Sequence, residues 1–471
     1  MIEKLSINND ISLLALSKKL ILLTVPIAFT FTFIILSETI DTIYSSQYDV
    51  TTLAAISIAK VISVLPLAII NGIVYTAVPQ YTYLKQQNRS DDIFNLIIEF
   101  LTISFLLCFI ISFIFIYFTP YALNLIGVDK TIIPMVQDYL IFLLPYILGM
   151  IAFNNFYYFS ESYGFPVFAT FTVFISLCIK GLSIYIFVFS DFIQQSWGIL
   201  GFGLASVLFA WSKFLILLPI ILLYKNFRII WKTPIKRLNL SIIRMVRNTI
   251  KGIPISLSYL SEWAAVAVMG LMIARLGINE AGANGIVYSV IPLSLVIVTA
   301  LSRSIAILVA QYQDQKEPLK HTILAGVILS IIFLSIICML LLYFSPEILG
   351  FYKTNDSLLQ IIYKIYPYMI CVVFGLGLSH VFCFALKGFS DFFFVFIILF
   401  STSWLLFIPL GYLLSETGYI FPAQGILGWW YALLISVFAS AILSFVRLYI
   451  VVKIRPQELS PDTIKINAIN N

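Results

Sequence analysis

Apolar residues along this chain come in long runs separated by short polar breaks. The runs cover residues 19–44, 52–79, 94–118, 131–155, 164–189, 198–224, 252–276, 283–309, 321–345, 358–385, 390–414 and 426–453. A helix crosses a bilayer in about 20 apolar residues, so the pattern predicts twelve membrane-spanning helices. The excess length of several runs allows tilt or kinks. Pro26, Pro66, Pro145, Pro254, Pro292 and Pro367 fall inside them, which lipid tolerates when neighbouring groups satisfy the freed carbonyls. Lys18 and Lys19 precede the first run as in a signal peptide. That run continues past Phe33 without a small-residue cleavage site, so it is read as the first span.

Composition agrees. Of 471 residues, 61% are hydrophobic and 11% charged, against about 25% charged in soluble proteins. The five cysteines, Cys108, Cys178, Cys338, Cys371 and Cys383, all lie in apolar runs without metal-ligand spacing. They are read as buried thiols acting as small hydrophobes.

Basic residues set the expected orientation. The joint between spans 6 and 7 holds Lys225, Arg228, Lys232, Lys236, Arg237, Arg244, Arg247 and Lys251 without an acid. Lys85, Arg89, Lys316, Lys320, Lys387 and Arg447 fall on the same side, and Lys130, Arg275 and Lys353 on the other. Both termini are therefore expected in the cytoplasm of a cell with this chain in its inner, plasma membrane. The net charge of +6 is assigned to topology and anionic lipid and not to nucleic acid.

The basic joint separates two similar halves. "TVPIAFTF" from Thr24 resembles "GIPISLSY" from Gly252, "PQYTYLKQ" from Pro79 resembles "AQYQDQKE" from Ala310, and "LPYIL" from Leu144 resembles "YPYMI" from Tyr366. The offsets are 228, 231 and 222 residues. An even number of spans in each half gives both the same orientation, as in parallel repeats with a binding site between or within them. The expected division is a cytoplasmic tail (1–18), an N-lobe of helices 1–6 (19–224), a basic cytoplasmic linker (225–251), a C-lobe of helices 7–12 (252–453) and a cytoplasmic tail (454–471).

Charges inside the runs are few: Glu38, Asp41, Lys60, Lys180, Lys213, Glu262 and Arg303. Each costs about 2.5–3.5 kcal/mol at a helix centre on the insertion scale and normally faces a cavity or a partner. Glu38 and Asp41 stand three residues apart, on one helical face. With Lys60 and Lys180 at similar depth they form an expected polar cluster in the N-terminal half. Asp41 is read as functional, whereas Glu38 and Lys180 are open between a functional role and mutual neutralisation. Lys60 lies near an interface to which a lysine can snorkel, and Lys213 and Arg303 are read as snorkelling toward the cytoplasm. Glu262 sits near the middle of span 7 with no basic residue close in sequence, and Ser258 and Tyr259 share its face. A lone carboxyl there can exchange a proton near neutral pH. Tyr259, Ser258 and His380 are candidate cavity-lining residues, His380 with packing as its plain alternative.

The sequence contains no P-loop, HExxH or GxSxG motif, so an enzyme is not expected, and uphill transport would need an ion gradient. "GFGLASVLFA" from Gly201 lies in an apolar run and reads as close helix packing.

Three stretches resemble the multidrug and toxic compound extrusion (MATE) transporters. They are "VPIAFTFTFIILSETIDTIYSSQYDVTTLAAISIA" from Val25, "GIPISLSYLSEWAAVAVMGLMIARLG" from Gly252 and "ALKGFSD" at Ala385–Asp391, with "SESYGFP" at Ser160–Pro166 in the place equivalent to the last. The likeness spans roughly residues 15 to 455. It implies an all-α polytopic membrane protein with two pseudo-symmetric six-helix lobes arranged as a V. It also implies alternating access and cation-coupled antiport of small amphipathic compounds, with Asp41 and Glu262 as the ion-coupling carboxylates. Many members carry Asn and Asp on helix 5 where this chain has Lys180 and Ile184, and an aspartate on helix 10 where it has Leu376. The loss of oxygen ligands in both lobes favours H⁺ over Na⁺. No cofactor and no metal centre are expected, and the partners are a small-molecule substrate and the bilayer, with the chain acting as a monomer. A lipid-linked precursor flippase and a non-transporting receptor or scaffold are the alternatives.

Overall fold

The computed structural model describes residues 12–48, 50–126, 132–190, 197–227, 240–350, 356–417 and 423–458. Arg228, Lys232, Lys236 and Arg237 of the basic joint, Lys130, Lys353 and most of both expected tails lie outside the described residues.

Among the described residues every regular element is helical. The elements are α1 (Leu13–Tyr48), α2 (Val50–Tyr75), α3 (Ala77–Gln86), α4 (Ser90–Ile126), α5 (Ile132–Leu140), α6 (Leu143–Ser162), α7 (Val167–Ile184), α8 (Gly198–Leu223), α9 (Ile242–Ala274), α10 (Ile278–Tyr312), α11 (Lys316–Tyr343), α12 (Ser345–Gly350), α13 (Asp356–Gly388), α14 (Phe392–Phe400), α15 (Ile408–Tyr412) and α16 (Ile426–Glu458). Eleven described helical stretches are long and apolar enough to span a bilayer, and the bent pair α5–α6 makes a twelfth if its 43° break lies within one span. The chain is an all-α, integral membrane protein. In hydrocarbon a backbone must satisfy its own polar groups, which selects helices from such apolar runs. Phe113, Leu215, Leu271, Met339 and Leu405 are exposed on the helix surfaces, as lipid contact allows. Helix α9 begins at Ile242, so the last third of the stretch read as a linker is already helical.

The chain forms two compact units. One comprises residues 29–256, the other 1–28 with 257–471. Helix α1 thus changes unit after Ala28, two residues past Pro26, and α9 changes unit after Ser256, two residues past Pro254. In the unit of residues 29–256, α9 crosses α2 closely: a Cβ on Gly252 would collide with the Ile73 backbone, and one on Gly72 with Ser256. Gln80 Nε2 donates to Asn248 Oδ1 at 3.4 Å nearby. In the other unit, Leu16, Leu20 and Leu23 of α1 join the core formed by α10, α13 and α16. Thr24 Oγ1 donates to Ser304 Oγ at 3.1 Å, and Lys19 Nζ to Gln311 Oε1 at 3.1 Å. Residue for residue these are the same two crossings: Thr24 corresponds to Gly252, Ser304 to Ile73 and Gln311 to Gln80.

Other features repeat in step. π-Helical turns end the fifth and eleventh spans at Tyr185–Phe189 and Leu413–Thr417. Gly198 and Gly425, both with positive φ, introduce the sixth and twelfth. Gly164 (φ 85°) and Ser390 (φ 62°) terminate α6 and α13 in the same way. Gly164 N–H donates to Glu161 O and Ser390 N–H to Lys387 O, while Phe165 N–H donates to Ser160 O and Asp391 N–H to Leu386 O. This is the Schellman closure of orphan carbonyls.

Candidate functional site: two charged clusters, one in each unit

The first cluster lies in the unit of residues 29–256. Asp41 comes from α1, Lys60 from α2, Lys180 from α7 and Lys213 from α8. Lys180 Nζ stands 2.7 Å and Lys60 Nζ 2.9 Å from the same atom, Asp41 Oδ2. Lys180 Nζ also donates to the Ser37 carbonyl at 2.8 Å, and Lys60 Nζ to the Glu38 carbonyl at 3.0 Å. Both carbonyls belong to the turn of α1 just before Asp41, so the lysines grip side chain and backbone together. Asp41 is 2% and Lys180 3% exposed, and Asp41 Oδ1 is buried without a hydrogen-bond partner. Desolvation makes such a pair costly unless its hydrogen bonds are complete, and loss of one partner would strand a buried charge.

The expected cluster of Glu38, Asp41, Lys60 and Lys180 is therefore assembled, with a difference. The i, i+3 spacing does not give the two acids equal surroundings: Asp41 is enclosed, while Glu38 is exposed. Glu38 remains within electrostatic reach of Lys60, Lys180 and Lys213.

Lys213 corrects an expectation. It does not snorkel but is fully enclosed, at 0% exposure. Its Nζ stands 4.3 Å from the ring centre of Phe209, 4.9 Å from that of Phe153 and 2.8 Å from Met150 Sδ. Lys180 Nζ lies 5.2 Å from the same Phe209 ring. The electron-rich ring faces attract both ammonium groups. Arg303 is likewise buried.

The second cluster lies in the unit of residues 1–28 and 257–471. Glu262 is half-buried on α9, with Ser258 buried and Tyr259 half-buried one turn earlier. Lys387, at the end of α13, is 3% exposed. Its Nζ stands 4.8 Å from the Tyr259 ring centre and 4.3 Å from that of Phe384. It is within electrostatic reach of both Glu262 and His380. His380 is half-buried, its ring 6.4 Å from that of Phe384, with Nδ1 buried and unbonded. Trp404 Nε1 donates to the Ser261 carbonyl at 3.3 Å, fixing the turn of α9 that carries Glu262.

Lys387 falls between the apolar runs 358–385 and 390–414 and was expected only as a basic residue on the cytoplasmic side, not as part of this cluster. The signal was present in the repeat: Lys387 occupies the position of Glu161, 1% exposed, in the first half. Two helices closed by the same turn thus carry opposite buried charges at one equivalent place. Ile184 and Leu376, which stand where many MATE proteins carry acids, are packed among apolar neighbours. Among the described residues no three His, Cys, Asp or Glu side chains converge as metal ligands would.

Comparison with known proteins agrees with this architecture. The family model MatE matches residues 26–186 and again 254–413, so it recognises each repeat from its proline onward. The chain is 24% identical over 423 residues to a probable multidrug resistance protein NorM of Photorhabdus laumondii, covering 88% of this chain and 90% of that one. It is 26% identical over 429 residues to the multidrug resistance protein MdtK of Pectobacterium atrosepticum, covering 87% and 90%. The crystal structure of the Vibrio cholerae MATE transporter VcmN in the bent form superposes with a TM-score of 0.83 at 14% identity, covering 95% of this chain and 99% of that one. With the duplicated family match, the twelve-helix pattern and this fold agreement together, the chain belongs to the MATE family.

Proposed function

We propose that this protein is a secondary active exporter of small amphipathic organic compounds, working by alternating access and driven by inward movement of H⁺. It sits in the inner membrane as a monomer with both termini cytoplasmic, the basic joint on that side. The relatives' description as multidrug resistance proteins supports export. The observation that carries the choice of ion is the company each spanning carboxylate keeps. Asp41 is held by two lysines, and Glu262 stands within electrostatic reach of Lys387, whose ammonium lies over the Tyr259 ring. A hard cation such as Na⁺ seeks several oxygen ligands, and ammonium groups take that place here. A proton needs no ligand shell.

Glu262 is the coupling group in this reading. In its charged form it attracts Lys387 and ties α9 to α13. When it takes a proton from outside, that attraction ends and α9 is released to move about the Pro254 region. Asp41, with Lys180 and Lys60, forms a charge-pair gate in the other unit. The test is efflux of an organic substrate from proteoliposomes under separate gradients. A pH gradient is expected to drive efflux with sodium absent. Efflux that follows a Na⁺ gradient at clamped pH, and not a pH gradient, would overturn proton coupling.

A further inference from the structure

The first turns of α9 carry Arg244, Arg247 and Lys251 and no acid. Spacings of three and four residues put these cations on one stripe of the helix. Their surroundings differ. Glu99 of α4, 1% exposed, accepts three hydrogen bonds on one oxygen, from the Ser241 N–H at 2.9 Å and from Arg244 Nε and Nη2 at 3.0 and 2.7 Å. On the inner side of α9, Asn248 is buried and bonded to Gln80, and Gly252 lies against Ile73. The base of the helix is therefore fixed in rotation. Arg247 and Lys251 face outward: both are exposed, and among the described residues neither forms an ion pair. Immediately beside them Ile243 is 72% and Ile250 60% exposed. This apolar stripe continues through the exposed Ile253 and Leu257.

At a rise of about 1.5 Å per residue, the stretch 252–274 of α9 is enough to cross the ~30 Å hydrocarbon core. Residues 242–251 then lie at headgroup depth. We propose that this face of α9 binds one anionic phospholipid, its phosphate held by Arg247 and Lys251 and an acyl chain laid along Ile243 and Ile250. Two outward cations without an acid call for negative charge, and an arginine pairs with phosphate through parallel hydrogen bonds. Exposed isoleucines at the same depth call for hydrocarbon. An anionic phospholipid brings both in one molecule and is already at that depth. A zwitterionic headgroup would bring its own cation against the two on the helix, and a soluble anion would leave the isoleucines uncovered. The site is distinct from the Asp41 and Glu262 clusters. It needs only that α9 spans a bilayer and does not rest on the exporter reading.

The experiment uses the full chain, delipidated in dodecyl maltoside and titrated with dioleoylphosphatidylglycerol or dioleoylphosphatidylcholine, with bound lipid counted by native mass spectrometry. Wild-type protein is expected to bind one phosphatidylglycerol at least tenfold more tightly than phosphatidylcholine. Arg247→Gln with Lys251→Gln is expected to reduce that preference to twofold or less. Its thermal midpoint in lipid-free detergent should stay level, because both side chains are exposed and unpaired. Arg247→Lys is expected to keep most of the preference. Ile243→Ser with Ile250→Ser is expected to weaken phosphatidylglycerol at least threefold. Lys225→Gln with Lys316→Gln removes two other exposed cations and is expected to leave the preference intact. An equal loss in that control would show diffuse attraction and overturn the site. Equal wild-type affinity for the two lipids overturns it as well. So does displacement of the phosphatidylglycerol by an equal concentration of inorganic phosphate, or a dimer that forms on this face and excludes lipid.

Discussion

Lys180 on α7 reaches Asp41 on α1 with 2.7 Å between Nζ and Oδ2, and both side chains are almost wholly withdrawn from solvent. Lys60 closes on the same oxygen, so one carboxylate is shared between two ammonium groups. Three helices meet at a single atom.

Removing that carboxylate's charge should therefore cost more than removing one lysine. Asp41→Asn leaves two ammonium groups facing each other, and breaking a buried pair typically costs about 3–5 kcal/mol. Unfolding of the purified protein in detergent should show a lowered midpoint for Asp41→Asn. The double variant Asp41→Asn with Lys180→Met should recover part of the loss, because it removes the stranded cation. A double variant no more stable than the single one would show that the pair does not act as a unit.

Glu262 and Lys387 should be coupled energetically as well as functionally. Glu262→Gln is expected to abolish efflux driven by a pH gradient while leaving substrate counterflow, which needs no coupling ion. Groups in one charge network commonly show interaction energies of about 0.5–3 kcal/mol in a double-mutant cycle. Glu262→Gln combined with Lys387→Met should be more stable than the sum of the single effects allows. Undiminished pH-driven efflux in Glu262→Gln would remove this residue from the coupling step.

The crossing of α9 over α2 should tolerate no added side chain. Gly252→Val places methyl groups where the Ile73 backbone stands, and overpacking of a tight contact costs about 1–3 kcal/mol or more. The expected result is a lower thermal midpoint. Thr24→Val, at the equivalent crossing of α1 over α10, should cost less, because the space for a side chain already exists there and chiefly the hydrogen bond to Ser304 is lost. Equal effects at both positions would count against the close approach at Gly252.

Much of this was legible in the sequence, for reasons that differ by element. The spans were readable because hydrocarbon demands long apolar helices, and α5–α6 was the case where one run hid a break at Ile141 and Phe142. The duplication was readable from three short matches, and the folded chain adds paired turns that no residue identity announces, such as Gly164 with Ser390. Asp41, Lys60 and Lys180 were found together because charges in apolar runs are rare and must face one another. Lys213 and Lys387 were misjudged for different reasons. Lys213, inside a run, has a stem long enough to reach water, and only the packing of Phe153 and Phe209 reveals that it does not. Lys387 falls between two runs, and only the rings of Tyr259 and Phe384 show it enclosed. The exchange of unit within α1 and α9 lay beyond sequence reading, since an unbroken helix gives no sign of which neighbours its two ends choose.

That exchange has a consequence for how the protein is made. Synthesis runs from the first residue onward, so Leu16, Leu20 and Leu23 enter the bilayer long before α10, α13 and α16 exist to cover them. The groove at Gly72 and Ile73 likewise stays open until residues 252–256 have left the ribosome. Neither unit can be finished from its own stretch of message, and maturation of the earlier half has to wait for the later one to arrive.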